Sequence, residues 1–203
     1  MGHIEDALAR AERDTATRPL PATTYSQVKH LLKQAEMADR RARRGTDLKP
    51  ASKTELARRV GQQIGVSGRT VERYRDKKIA HATGEHATRI KAAVEQTWQP
   101  KVKEAARTKA AERGGITIET RARFGFTAAP GSTDDSRVRL ITQHLPATYA
   151  ERLFTAREAG APEDDLKTIV AEGLQEQYFK DNGRRAQGLR VDFTDIDYLD
   201  LGY

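Results

Sequence analysis

The sequence predicts an α+β protein in which helix predominates. Three observations carry this. Apolar residues recur at helical spacing through most of the first 113 positions, and that spacing switches to strict alternation over residues 116–126. Alanine is abundant, at 29 of 203 residues, while Leu, Ile, Val and Phe together supply only 37, about 18%. Alanine favours helix without building a thick core, so thin helical modules are expected.

Taken in order, residues 4–13 place Ile4, Ala7, Leu8 and Ala11 on one helical face, and Arg18-Pro19-Leu20-Pro21 breaks the pattern. Thr24 is the expected cap of a second helix with Tyr25, Val28, Leu31, Leu32, Ala35 and Ala38 at helical spacing. That helix runs into Arg40-Arg41-Ala42-Arg43-Arg44 and stops at Gly45. Residues 45–52 read as a loop. Residues 54–64 read as helix with Leu56, Val60 and Ile64 inward, and Gly65-Val66-Ser67 leads into a second segment, 68–75. Helices are also expected over 85–98 and 101–113, the latter with Pro100 in its first turn and Gly114-Gly115 at its end.

From Ile116 to Phe126 the two-residue period predicts a strand, residues 127–136 a turn-rich loop, and 137–145 a return strand. Pro146 opens a helix to about 159, and Pro162-Glu163-Asp164-Asp165 another that Asn182-Gly183 ends. Alternation returns over 189–193, before an acidic, aromatic tail read as a solvated edge or interaction surface. The expected division is an N-terminal arm (1–24), a basic helical domain (25–113) and an α/β domain (114–203).

The segment 53–78 has the features of a helix-turn-helix. Gly65 permits a tight left-handed turn, Val66 plugs the corner, and Ser67 caps the second helix. Gly61 takes the small-residue slot where the helices cross. Val71 and Tyr74 point inward, leaving Arg69, Thr70, Arg73 and Arg75 for DNA, with early residues at base edges and arginines on phosphates. An ordinary αα-hairpin has the same outline without the exposed arginines.

Charge supports a polyanion partner. The chain carries 36 Lys and Arg against 29 Asp and Glu, net +7. Residues 25–113 hold 22 basic and 10 acidic side chains, and residues 160–203 hold 5 and 10. Four arginines in five residues (Arg40, Arg41, Arg43, Arg44) suit a phosphate backbone. Leu140, Thr142 and His144 would face outward in the order strand, helix, helix that begins at 137, which is the order of a ribbon-helix-helix half; Gln143 would face inward, against that pattern. A dimerisation or docking unit fits this segment equally.

Several chemistries are excluded or disfavoured. Without cysteine there is no disulfide and no thiolate zinc site, and the five histidines lie at no metal-ligand spacing. No GxxxxGK[ST] loop occurs, and no apolar run reaches the roughly 20 residues of a membrane span. The acidic start, Ile4-Glu5-Asp6, is unlike a signal peptide. A cytosolic or nucleoid-bound protein that is not itself an enzyme is expected.

Residues 120–135 interleave Arg121 and Arg123 with Phe124 and Phe126, then set a hydroxyl cluster beside Asp134 and Asp135. On local chemistry alone Thr133 reads as a helix N-cap, and the phenylalanines as core. The run Ile118-Glu119-Thr120-Arg121-Ala122-Arg123-Phe124-Gly125-Phe126-Thr127-Ala128-Ala129-Pro130-Gly131-Ser132-Thr133-Asp134-Asp135 resembles the telomere-protecting terminal proteins of linear actinomycete chromosomes and plasmids. So do residues 66–74, Trp98-Gln99-Pro100, Gly183-Arg184-Arg185-Ala186 and Phe193-Thr194-Asp195-Ile196, so that the resemblance spans roughly residues 25–200. Residues 37–52 depart from it as extra length.

The resemblance implies a protein primer. Thr133 is the implied acceptor of the first deoxynucleotide, with Asp134 and Asp135 beside it and Ser132 and Thr127 as alternatives; by their charge alone, Arg121 and Arg123 nearby are expected to hold the template strand. It implies telomeric DNA, a DNA polymerase that brings Mg²⁺, and a telomere-associated DNA-binding protein as partners. No cofactor of the chain's own and no membrane are implied, and a homodimer is possible. A helix-turn-helix transcriptional repressor is the competing reading, and the Thr133 loop discriminates the two.

Overall fold

Helices form where the apolar spacing is helical, and one antiparallel sheet forms where it alternates. The structure, a computed structural model, describes residues 2–127, 138–186 and 188–203, with backbone only at Phe126 and Thr127. The elements are α1 (His3–Asp14), α2 (Thr24–Ala42), α3 (Lys53–Ile64), α4 (Gly68–Arg75), α5 (Gly84–Thr97), α6 (Pro100–Lys109), β1 (Ile116–Thr127), β2 (Val138–Leu145), α7 (Ala147–Glu158), α8 (Glu163–Leu174) and β3 (Arg190–Gly202). Single π-helical turns follow α6 and α8, at Ala110–Gly114 and Gln175–Phe179. The fold is therefore α+β and mostly helical. Among the described residues no helix is long and apolar enough to cross a membrane.

Two compact units divide the chain: Thr17–Pro100, and Met1–Ala16 together with Lys101–Tyr203. These boundaries differ from the expected ones at 24 and 113. Helix α1 is no separate arm: its apolar stripe, Ile4, Ala7, Leu8 and Ala11, is buried in one core with Ile118, Leu153 and Leu199. Glu163 accepts from the Ile4 amide at 2.8 Å, and Arg157 on α7 bridges Glu5 at 2.9 Å and Glu12 at 3.3 Å, which ties α1 to its neighbours. A short amphipathic helix gains stability only by burying its stripe, and the sheet core offers the apolar surface. The segment from 101 to 113 joins the same unit through buried Ala110.

In the sheet unit the strand order is β2-β1-β3, all antiparallel. Ile116, Ile118, Ala122 and Phe124 of β1 are buried with Ile141 and Leu145 of β2 and Ile196, Leu199 and Leu201 of β3. The alternating residues Thr117, Glu119, Arg121 and Arg123 are exposed. Phe124 packs against Phe179 and Phe193, with ring centroids 5.3 and 5.0 Å away, so it belongs to the core. The acidic tail is an edge strand: residues 190–202 pair along β1, with register shifts beside Ala122 and Phe124, and Asp192, Asp195 and Asp197 face solvent. Its Val191, Ile196, Leu199 and Leu201 supply the buried side, and its aspartates stay out. The strand–helix–helix order over 138–174 is present, with β2 paired to β1 inside the chain.

In the helical unit, α2 to α5 enclose Val28, Leu31, Ala57, Val60, Ile64, Val71, Tyr74, Ile90 and Val94. The cap of α2 is Thr23, one residue before the expected Thr24. Thr23 and Ser26 form a reciprocal capping box, and Thr24 is buried, its hydroxyl accepting from the Ala82 amide at 3.0 Å.

Candidate nucleic-acid interface

Helices α3 and α4 are joined by a turn whose local chemistry is complete. Ser52 caps α3 by accepting from the Glu55 amide at 3.1 Å. Gly65 ends it in the left-handed region, at φ 72° and ψ 32°, where a side chain would be strained. The Val66 amide returns to the Gly61 carbonyl at 2.8 Å, and Val66 itself is half-buried against the core. Ser67 then caps α4, its Oγ accepting from the Thr70 amide at 3.1 Å.

Two glycines set how closely the helices approach. A Cβ on Gly61 would lie 2.6 Å from the Val66 carbonyl oxygen and 3.0 Å from the Gly68 amide nitrogen. A Cβ on Gly68 would lie 3.1 Å from the backbone of Arg58. All of these obstacles are backbone atoms, so a larger residue would have to push the helices apart.

The basic residues around this pair divide into paired and unpaired. Arg69 and Arg73 are exposed on α4 and make no ion pair or side-chain hydrogen bond among the described residues. At 3.6 residues per turn they sit about 40° apart around the helix axis. Arg75 does not share their face: it lies about 120–160° away by the same geometry and is held by Asp76 at 2.8 Å. Thr70 is also engaged, its hydroxyl 2.9 Å from Ser67 Oγ. The outward face of α4 is thus narrower than the four residues Arg69, Thr70, Arg73 and Arg75 expected of it.

Arg58 and Arg59 both grip Glu55, Arg58 at 2.8 Å and Arg59 at 3.1 Å. These hydrogen bonds stabilise the carboxylate and depress the Glu55 pKa to about 2. Asp39, which the sequence reading did not single out, links separate segments. It accepts from Arg43 at 2.8 Å, from Arg59 at 3.1 Å and from the Ala51 amide at 3.3 Å. The Arg43 bond is the main reason its carboxyl sits below the usual carboxylate range. Asp39, through Arg59, is therefore the strut between α2 and α3, and Arg43 is engaged by the same carboxylate at the end of its own helix. Arg40, Arg41 and Arg44 stay exposed without ion pairs among the described residues.

Arg121 and Arg123 stand on the exposed side of β1. Arg121 lies between Leu140 and Tyr198 in register and pairs with Asp197 at 3.3 Å; Arg123 lies between Val138 and Asp195. Glu119 and Asp200 occupy the next row, so carboxylates outnumber arginines around them. The loop residues Ser132, Thr133, Asp134 and Asp135 lie outside the described residues, as does the side chain of Thr127. Among the described residues no cluster of His, Asp and Glu is arranged to hold a metal.

No family model, no curated protein sequence and no solved structure matches the chain.

Proposed function

We propose that the chain is a DNA-end terminal protein whose helical unit grips duplex DNA with α4 as the recognition helix of a helix-turn-helix. The observation that carries DNA binding is the pair Arg69 and Arg73. They are exposed and adjacent, and among the described residues unpaired, on a helix held by a left-handed glycine, a serine cap and a glycine crossing, while neighbouring arginines are spent on carboxylates. Docked in a major groove, such a helix sets its early residues at base edges and its arginines on phosphates. Arg40, Arg41 and Arg44 add charge that is indifferent to sequence.

The priming role rests on the resemblance of residues 118–135. In this reading Thr133 Oγ attacks the α-phosphorus of a deoxynucleoside triphosphate bound by a partner polymerase. A phosphodiester bond forms to the threonine, pyrophosphate leaves, and the hydroxyl proton is released. The polymerase supplies the Mg²⁺. The strands β1 and β2 flank the segment that carries Thr133.

Thr133→Val keeps the shape and removes the oxygen. With labelled deoxynucleotide and the cognate polymerase, the parent chain acquires label and the Val variant does not, while Thr133→Ser retains part of the coupling. Label on the Val variant moves the acceptor to Ser132 or Thr127. A parent chain that accepts no nucleotide but binds an internal promoter tightly is a repressor instead.

A further inference from the structure

Three apolar side chains of the helical unit, two on α2 and one on α3, are only partly covered and line one groove. Leu56 was expected to point inward with Val60 and Ile64, but Ala57 takes the buried position and Leu56 is half-buried beside it. On α2, Val28 and Leu31 are fully covered, whereas Tyr25 and Leu32 are only partly so. Tyr25, Leu32 and Leu56 meet as the floor of a groove of about 600 Å³.

The rim of this groove is cationic. Lys29, Lys33 and Lys53 line it against Glu36, while Arg75 and Asp76 on the same rim neutralise each other. Lys77, at φ 57°, is held over the Tyr25 ring with its Nζ 4.6 Å from the centroid, which adds a further positive charge beside the floor.

We infer that this groove docks an acidic amphipathic helix of a partner protein. Aliphatic side chains at i, i+3 or i+4, and i+7 would cover Tyr25, Leu32 and Leu56, and flanking glutamates would meet the lysines. A phosphate backbone answers the lysines but has nothing apolar to cover the floor. Arg75 marks the side of α4 turned away from Arg69 and Arg73, so docking here leaves those two arginines accessible. The inference needs no DNA contact by α4 and stands apart from the priming reading.

The test uses the full chain and a fluorescein-labelled helical peptide with leucine on one face and glutamate on the other, alongside a scrambled peptide of the same composition. Anisotropy should show saturable binding of the ordered peptide in preference to the scrambled one. Lys29→Glu with Lys33→Glu turns two exposed attractions into repulsions and should weaken that binding about tenfold. Leu56→Ser should weaken it too, at unchanged charge. Trp98 fluorescence melts confirm that each variant folds, and binding of a random duplex is measured in parallel. Equal binding of both peptides, or indifference to the charge reversal in a folded variant, overturns the inference. So does a tenfold loss of duplex affinity in the reversal variant with no peptide binding by the parent, which would make the groove a phosphate site.

Discussion

Replacing Arg69 and Arg73 with alanine removes the two unpaired cations from the outward face of α4. Each phosphate neutralised on duplex DNA contributes about −0.9 to the slope of log affinity against log salt. If both arginines contact phosphates, the double variant flattens the slope by about 1.8. Between 50 and 200 mM salt the parent should then lose roughly 12-fold more affinity than the variant, since fourfold raised to the power 1.8 is near 12. Because both side chains are exposed and make no side-chain bond among the described residues, stability should stay within about 0.5 kcal/mol of the parent. Arg75→Ala is the matched control. Its guanidinium is committed to Asp76 on another side of α4, so its loss should change the slope far less. The assay is fluorescence anisotropy with a labelled duplex over a salt series, with Trp98 emission reporting folding. An Arg69→Ala/Arg73→Ala protein that matches the parent in affinity and slope would remove α4 from the account of DNA binding. A larger change for Arg75→Ala would show that the unpaired pair was the wrong criterion.

Other outcomes follow from the same geometry. Gly61→Ala gains about 1 kcal/mol of helix propensity but drives a methyl to within 2.6 Å of the Val66 carbonyl. Overpacking of that kind costs roughly 1–3 kcal/mol, which at least offsets the gain, so the melting point of the helical unit should not rise, and a raised value would refute the tight crossing. Neutralising Arg40, Arg41 and Arg44 while leaving Arg43 on Asp39 should weaken specific and random duplexes by similar factors, and a loss confined to one sequence would assign the cluster a reading role. His30 packs edge-on to Trp98, 5.1 Å between centroids, and burial chiefly lowers its pKa below 6.5. A lowered folded pKa means stability is fully present above about pH 6.5 and declines as pH falls toward and through the folded value. Urea titrations followed by Trp98 emission should show this acid loss, and His30→Gln should remove it; a parent equally stable at pH 5 and 7 would contradict the assignment.

Local chemistry made α3, the turn and α4 legible in the sequence. A glycine in the left-handed region, a serine cap three residues before its amide donor, and apolar residues at helical spacing all act within one or two turns of chain. Strand β1 was legible for the same reason, since alternation is a property of the segment itself. Tertiary structure decided what depends on a neighbour's position. An apolar stripe defines half a helix but not which of Leu56 and Ala57 lies under the next helix. Composition cannot say that Arg43 is spent on Asp39 and Arg75 on Asp76 while Arg69 and Arg73 are not, because an ion pair needs two groups brought within 4 Å. The acidic tail became strand β3 because β1 had a second edge to pair and the tail's Ile196, Leu199 and Leu201 had a core to enter. Helix α1 joined the sheet unit for the same physical reason: its apolar stripe is stabilised only by the partner that covers it, and that partner lies more than a hundred residues away.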